Sequence, residues 1–147
     1  MADIYHQVGV RADIEKAYRA ITTLDGLSDW WTETRGDTEK NGRLSFHFND
    51  ISIEMIIIQL VPAKKVVWQC TEKEGEWKDT MITFDLEQDR DQVFINFSHK
   101  GWAAQTCLCA HCNTKWAVFL LSLKDYLETG TGKPFPHDTP INHTDFN

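Results

Sequence analysis

Basic residues are scarce in this chain. Its 147 residues set 15 Lys and Arg against 22 Asp and Glu, for a net charge of −7. Nucleic-acid binding needs a basic stripe that displaces counterions from phosphates. The nearest thing is Lys64-Lys65, which follows Pro62 and reads as a turn between strands. An anionic membrane surface would be repelled for the same reason. Neither nucleic acid nor membrane is therefore an expected partner, and neutral or apolar partners fit best. Long hydrophobic runs are missing too. The most apolar stretch, Ile51 to Val61, carries Glu54 and Gln59 and is about half the ~20 residues that span a bilayer. Membrane insertion is not expected. Met1 to Arg11 lacks the apolar segment of a secretion signal, so the chain is expected to be cytoplasmic, with its four Cys reduced rather than paired. Also absent are a nucleophile elbow, a His-Glu-x-x-His pair, a phosphate-binding loop and a dinucleotide fingerprint. No cofactor is implied. Catalysis by a few scattered groups stays open.

What the chain does have is aromatic mass: 6 Trp and 8 Phe. Flat side chains in that number suit a thick core or the walls of a pocket. A chain of this length makes one domain and buries enough surface to need no staples.

The patterning assigns the elements. Ile4, His6, Val8 and Val10 alternate as a first strand. Asp13 then stands where a helix N-cap belongs, with Glu15 in the first turn. Ile14, Ala17, Tyr18 and Ile21 follow as an apolar stripe. Leu24 to Trp31 reads as a turn plus one or two helical turns. From Asn41-Gly42, a tight-turn signal, the period becomes two. Leu44, Phe46 and Phe48 line one strand, and Ile51 to Val61 forms the next. Val66, Trp68 and Cys70, then Ile82, Phe84 and Leu86, then Val93, Ile95, Phe97 and His99 line three more. Short turns between them predict an antiparallel meander. Cys109, Cys112, Trp116, Phe119, Leu120, Leu123 and Leu127 recur at three and four, which predicts a helix over about 104–129 capped by Gly130. Thr131 to Asn147 has three Pro and no period and reads as a surface tail. The fold class is α+β: a curved antiparallel sheet wrapped around a long C-terminal helix, with two short helices after the first strand. A half-apolar sheet and a one-sided helix bury their faces on each other. The wedge between them is a natural ligand site.

Three segments bring this chain close to a known group. They are Val10-Arg11-Ala12-Asp13-Ile14-Glu15-Lys16-Ala17-Tyr18, Gly26-Leu27-Ser28-Asp29-Trp30-Trp31, and the run from Trp116 to Phe135, Trp-Ala-Val-Phe-Leu-Leu-Ser-Leu-Lys-Asp-Tyr-Leu-Glu-Thr-Gly-Thr-Gly-Lys-Pro-Phe. With them the chain resembles the START-like, or SRPBCC, helix-grip superfamily, which includes lipid-transfer domains and the birch-pollen allergen. It looks most like the branch named for homology to the activator of the 90-kDa heat-shock-protein ATPase. The resemblance implies one helix-grip domain over 1–135, followed by a tail over 136–147. It does not choose a function, because the superfamily includes lipid carriers, hormone receptors, polyketide cyclases and chaperone regulators.

Several residues carry competing readings. Cys107, Cys109, His111 and Cys112 look like a metal site. On a helix, however, Cys107 and His111 project within about 40° of each other while Cys109 and Cys112 face elsewhere. Buried or incidental thiols are the expectation, and no metal is expected. Of Trp30 and Trp31, one caps the core and the other covers a loop, or one forms a pocket mouth. His99 shares the inward parity of Phe97 and is a hydrogen-bonded core residue, a polar anchor for a ligand, or an acid/base. Glu54 would join it in acid/base chemistry if both faced the cavity.

The leading expectation is a small apolar or aromatic molecule bound between sheet and helix. Its walls would be Trp30, Trp31, Phe46, Phe48, Trp68, Phe84, Phe97, Trp116, Phe119 and Leu120, with His99 as polar anchor. The alternatives are an interaction module that regulates a chaperone ATPase and a cyclase-like enzyme acting on an aromatic or polyketide-like substrate. Either a monomer or a homodimer is compatible with the sequence.

Overall fold

Alternation of buried and exposed residues makes Ala2–Val10 the first strand, β1. The chain leaves it through Asp13, whose carboxylate accepts the Glu15 N–H at 2.7 Å and starts helix α1, Ile14–Thr22. Removing that cap by Asp13→Ala is expected to cost about 1 kcal/mol, read as a lower urea midpoint. Thr23 ends α1 and, by accepting the Gly26 N–H at 3.0 Å, begins α2, Leu24–Trp30. Gly26 allows the tight corner between the helices, since a Cβ there would stand 2.8 Å from the Ala20 backbone.

The fold was obtained as a computed structural model, which describes residues 1–144. Six strands follow the helix pair: β2 Glu33–Gly36, β3 Arg43–Phe48, β4 Ile51–Val61, β5 Lys65–Cys70, β6 Met81–Asp89 and β7 Gln92–Trp102. Among the described residues they form one seven-stranded sheet in the order β1-β7-β6-β5-β4-β3-β2, antiparallel at every step. The first strand thus pairs with the last, Val10 opposite Val93, and α1 and α2 bridge from one edge of the sheet to the other. The long helix α3, Cys107–Thr129, packs Trp116, Leu120, Leu123 and Leu127 into the core formed by the inward parity of the strands. It starts later than its periodicity suggests because Thr106 is its N-cap, accepting the Cys109 N–H at 3.1 Å. Gly130 ends it in the left-handed conformation, φ 89°. No helix among the described residues is long and apolar enough to cross a membrane.

The segment after α3 differs from the expected surface tail. Lys133 N–H donates to Ser122 Oγ at 2.7 Å and Phe135 N–H to the Trp31 carbonyl at 2.7 Å. Asp138, with 2% of its side chain exposed, accepts from Lys115 Nζ at 2.5 Å. Contacts with the rest of the fold therefore extend as far as Asp138. Residues 145–147 of the expected tail lie outside the described residues.

Candidate functional site

The sheet and α3 do not close completely. Beside the first turns of α3 they leave a cavity of about 540 Å³, within the ~300–1,000 Å³ of small-molecule sites. Its inner wall is Trp31, Trp116 and Phe119, all nearly buried. Phe48 and Ile53 contribute from the sheet, Phe135 from the segment after α3, and Trp77 from the β5–β6 connection. Ile51 and Leu108, 61% and 42% exposed, form apolar lips.

Of the ten residues expected as walls, Trp31, Phe48, Trp116 and Phe119 line this cavity. Trp30, Phe46, Trp68, Phe84, Phe97 and Leu120 do not; they are packed in the core behind it. The reason is close packing of side chains on one another. Trp31 stands 4.4 Å from Phe46 and 4.9 Å from Trp116, and lies parallel to Trp68 at 6.1 Å with a 5° interplanar angle. Trp30 sits deeper, its indole N–H donating to the Ala20 carbonyl at 2.8 Å. The deep end of the wedge is therefore filled by the protein's own rings. Space remains at the open end, against walls whose backs are already packed.

His99 is fully buried and does not line the cavity. The Trp116 indole N–H, which can only donate, bonds to His99 Nδ1 at 3.1 Å. The imidazole proton is then on Nε2, which donates to Thr80 Oγ1 at 2.9 Å. The Thr80 hydroxyl in turn donates to the Trp77 carbonyl at 2.6 Å. Burial pushes the imidazole pKa down to about 3, so the ring is neutral. Through His99 and Thr80 one relay of hydrogen bonds joins Trp116 on the helix to the Trp77 carbonyl on the loop, two walls of the cavity. The role of polar anchor for a ligand does not fit this geometry. Nor does an acid/base pair with Glu54, which points to the other face of the sheet, bonded to Arg43 at 2.8 Å and Thr71 at 3.1 Å.

Of the four Cys and His side chains at the start of α3, only Cys109 enters the core. Cys107 is exposed, Cys109 buried, and Cys112 half-buried on the cavity wall beside His111. Desolvation raises the Cys112 thiol to about 11, so it is present as the less nucleophilic thiol. Among the described residues no three His, Cys, Asp or Glu side chains converge as metal ligands.

Trp77 and Phe135 were not among the expected wall residues. Each lies in a polar, aperiodic stretch, where alternation assigns nothing. The available signal was the size of the side chain: a large aromatic in a charged loop has to find cover.

A family model described as Activator of Hsp90 ATPase homolog 1-like protein matches residues 11–128. Among solved structures, the solution structure of the Aha1 dimer from Colwellia psychrerythraea is 43% identical, with a TM-score of 0.82, over 90% of this chain and 100% of that one. Protein MLL2253 from Mesorhizobium loti is 14% identical, with a TM-score of 0.78, over 86% of this chain and 96% of that one. CalU16 from Micromonospora echinospora is 17% identical, with a TM-score of 0.73, over 84% and 73%. At such identities the last two show a common helix-grip fold. No match was found among curated proteins.

Proposed function

Since the chain belongs to the family of Activator of Hsp90 ATPase homolog 1-like proteins, a helix-grip family whose fold places a wedge between sheet and helix, we propose that it binds a small apolar or aromatic molecule in that wedge. The observation that carries this reading is the cavity of about 540 Å³ with Trp31, Trp116 and Phe119 as its inner wall. Those rings are fixed by neighbours behind them, so a guest meets a preformed surface and little ordering entropy opposes binding. A guest that removes about 200 Å² of apolar surface from water gains roughly 5 kcal/mol before the cost of association.

A thermal-shift and calorimetric series with neutral aromatic alcohols tests this. Cys112→Trp puts an indole into the cavity from α3. It is expected to weaken binding by at least about tenfold while changing stability by no more than the ~1–3 kcal/mol of overpacking. Absence of binding by the parent protein, or undiminished binding by a folded Cys112→Trp variant, would contradict the proposal.

The family description and the Aha1 relative favour a second reading, contact with a chaperone ATPase. Under it, an excess of this protein changes the turnover of such an ATPase; unchanged turnover excludes it. That relative is a dimer in solution, and we propose the same state here, to be read by sedimentation equilibrium.

A further inference from the structure

The polar rim of the cavity is not neutral. We propose that the site selects guests that carry a positive charge beside an apolar or aromatic body, an inference that rests on the cavity being a binding site. The β5–β6 connection runs Glu72-Lys73-Glu74-Gly75-Glu76-Trp77-Lys78. Glu72, Glu74, Glu76 and Trp77 line the cavity, whereas Lys73 and Lys78 do not. Two of these carboxylates are held in place: Glu72 accepts the Glu54 backbone N–H at 3.1 Å, and Glu76 accepts the Thr106 hydroxyl. Among the described residues none of the three forms an ion pair.

Among the described residues the one Lys on the wall, Lys115, is matched by Asp138 at 2.5 Å, and the pair is almost wholly buried. His111 is the remaining titratable base on the wall. The cavity thus presents indole and phenyl faces under an excess of carboxylates. A cation is attracted by both the ring faces and the carboxylates. An anion loses its water and meets like charge. Rim charges act through solvent, so the preference is salt-dependent.

The test uses three probes with one ring system: 1-naphthylmethylammonium, 1-naphthylmethanol and 1-naphthoate, titrated calorimetrically at pH 8 in low salt. The ammonium is expected to bind on the order of tenfold more tightly than the alcohol, and the alcohol more tightly than the carboxylate. In the triple variant Glu72→Gln, Glu74→Gln, Glu76→Gln the advantage of the ammonium over the alcohol should fall to about threefold or less, the share left to the ring faces. Naphthoate binding as well as the ammonium, or an unchanged preference in the triple variant, overturns charge selection and leaves the cavity reading standing. Ammonium binding that survives Cys112→Trp also overturns it, because the attraction would then come from the acidic surface at large. If none of the three probes binds, the cavity reading falls and the charge preference with it.

Discussion

Between pH 7 and pH 4 the protein is expected to lose on the order of 3 kcal/mol of stability through His99 alone. The folded imidazole has its pKa lowered from 6.5 to about 3 by desolvation. In that interval the unfolded chain binds a proton that the folded protein cannot, so stability rises with pH. The contribution is complete above pH 6.5 and is lost progressively as pH falls toward about 3. Carboxylates add their own dependence on pH, so the comparison must be made against a variant. In His99→Gln an amide replaces the imidazole, able to accept from Trp116 and donate to Thr80 without titrating. Urea unfolding of both proteins should show the advantage of His99 at pH 7 shrinking by roughly that amount at pH 4. A gap that does not vary with pH would mean that the ring is not buried and neutral.

Trp31→Ala is expected to cost about 3–5 kcal/mol, the usual range for removing a buried Trp, and to abolish guest binding. Trp31 is 2% exposed and meets Phe46, Phe48, Trp68 and Trp116 within 6.1 Å. It separates the filled part of the wedge from the open part, so truncation joins the two and removes a wall. Phe135→Ala is the useful contrast. Its ring is only half-buried, touching Phe48 at 5.2 Å, and its loss should weaken binding more than it lowers stability. A cost below about 1 kcal/mol for Trp31→Ala would contradict the packing described here.

The elements were legible because their periods are local. Ile82, Phe84 and Leu86 alternate, and Trp116, Leu120, Leu123 and Leu127 recur at three and four, so sheet and helix follow from spacing alone. The segment matching the family carried the arrangement of those elements. Depth was not legible. Parity says that Phe46, Trp68 and Phe97 point inward, as Trp31 and Trp116 do; whether an inward ring packs on another ring or borders open space depends on the curvature of the sheet and the placement of α2. His99 shows the same limit. Its inward parity was readable, but its hydrogen-bond partners are Thr80 and Trp116, 19 and 17 residues away. The segment after Gly130 has no period at all. What holds it are single long-range contacts, Phe135 to Trp31 and Asp138 to Lys115, and such contacts leave no mark on spacing.

The most direct measurement is a set of intermolecular NOEs between bound 1-naphthylmethanol and the protein. Contacts from the guest to the rings of Trp31, Trp116 and Phe119 are predicted, with none to Trp68 or Phe84 behind them. A guest that contacts only surface residues such as Tyr5 and Leu121, or shows no contact to those three rings, would contradict the claim that the space between sheet and helix is a binding site.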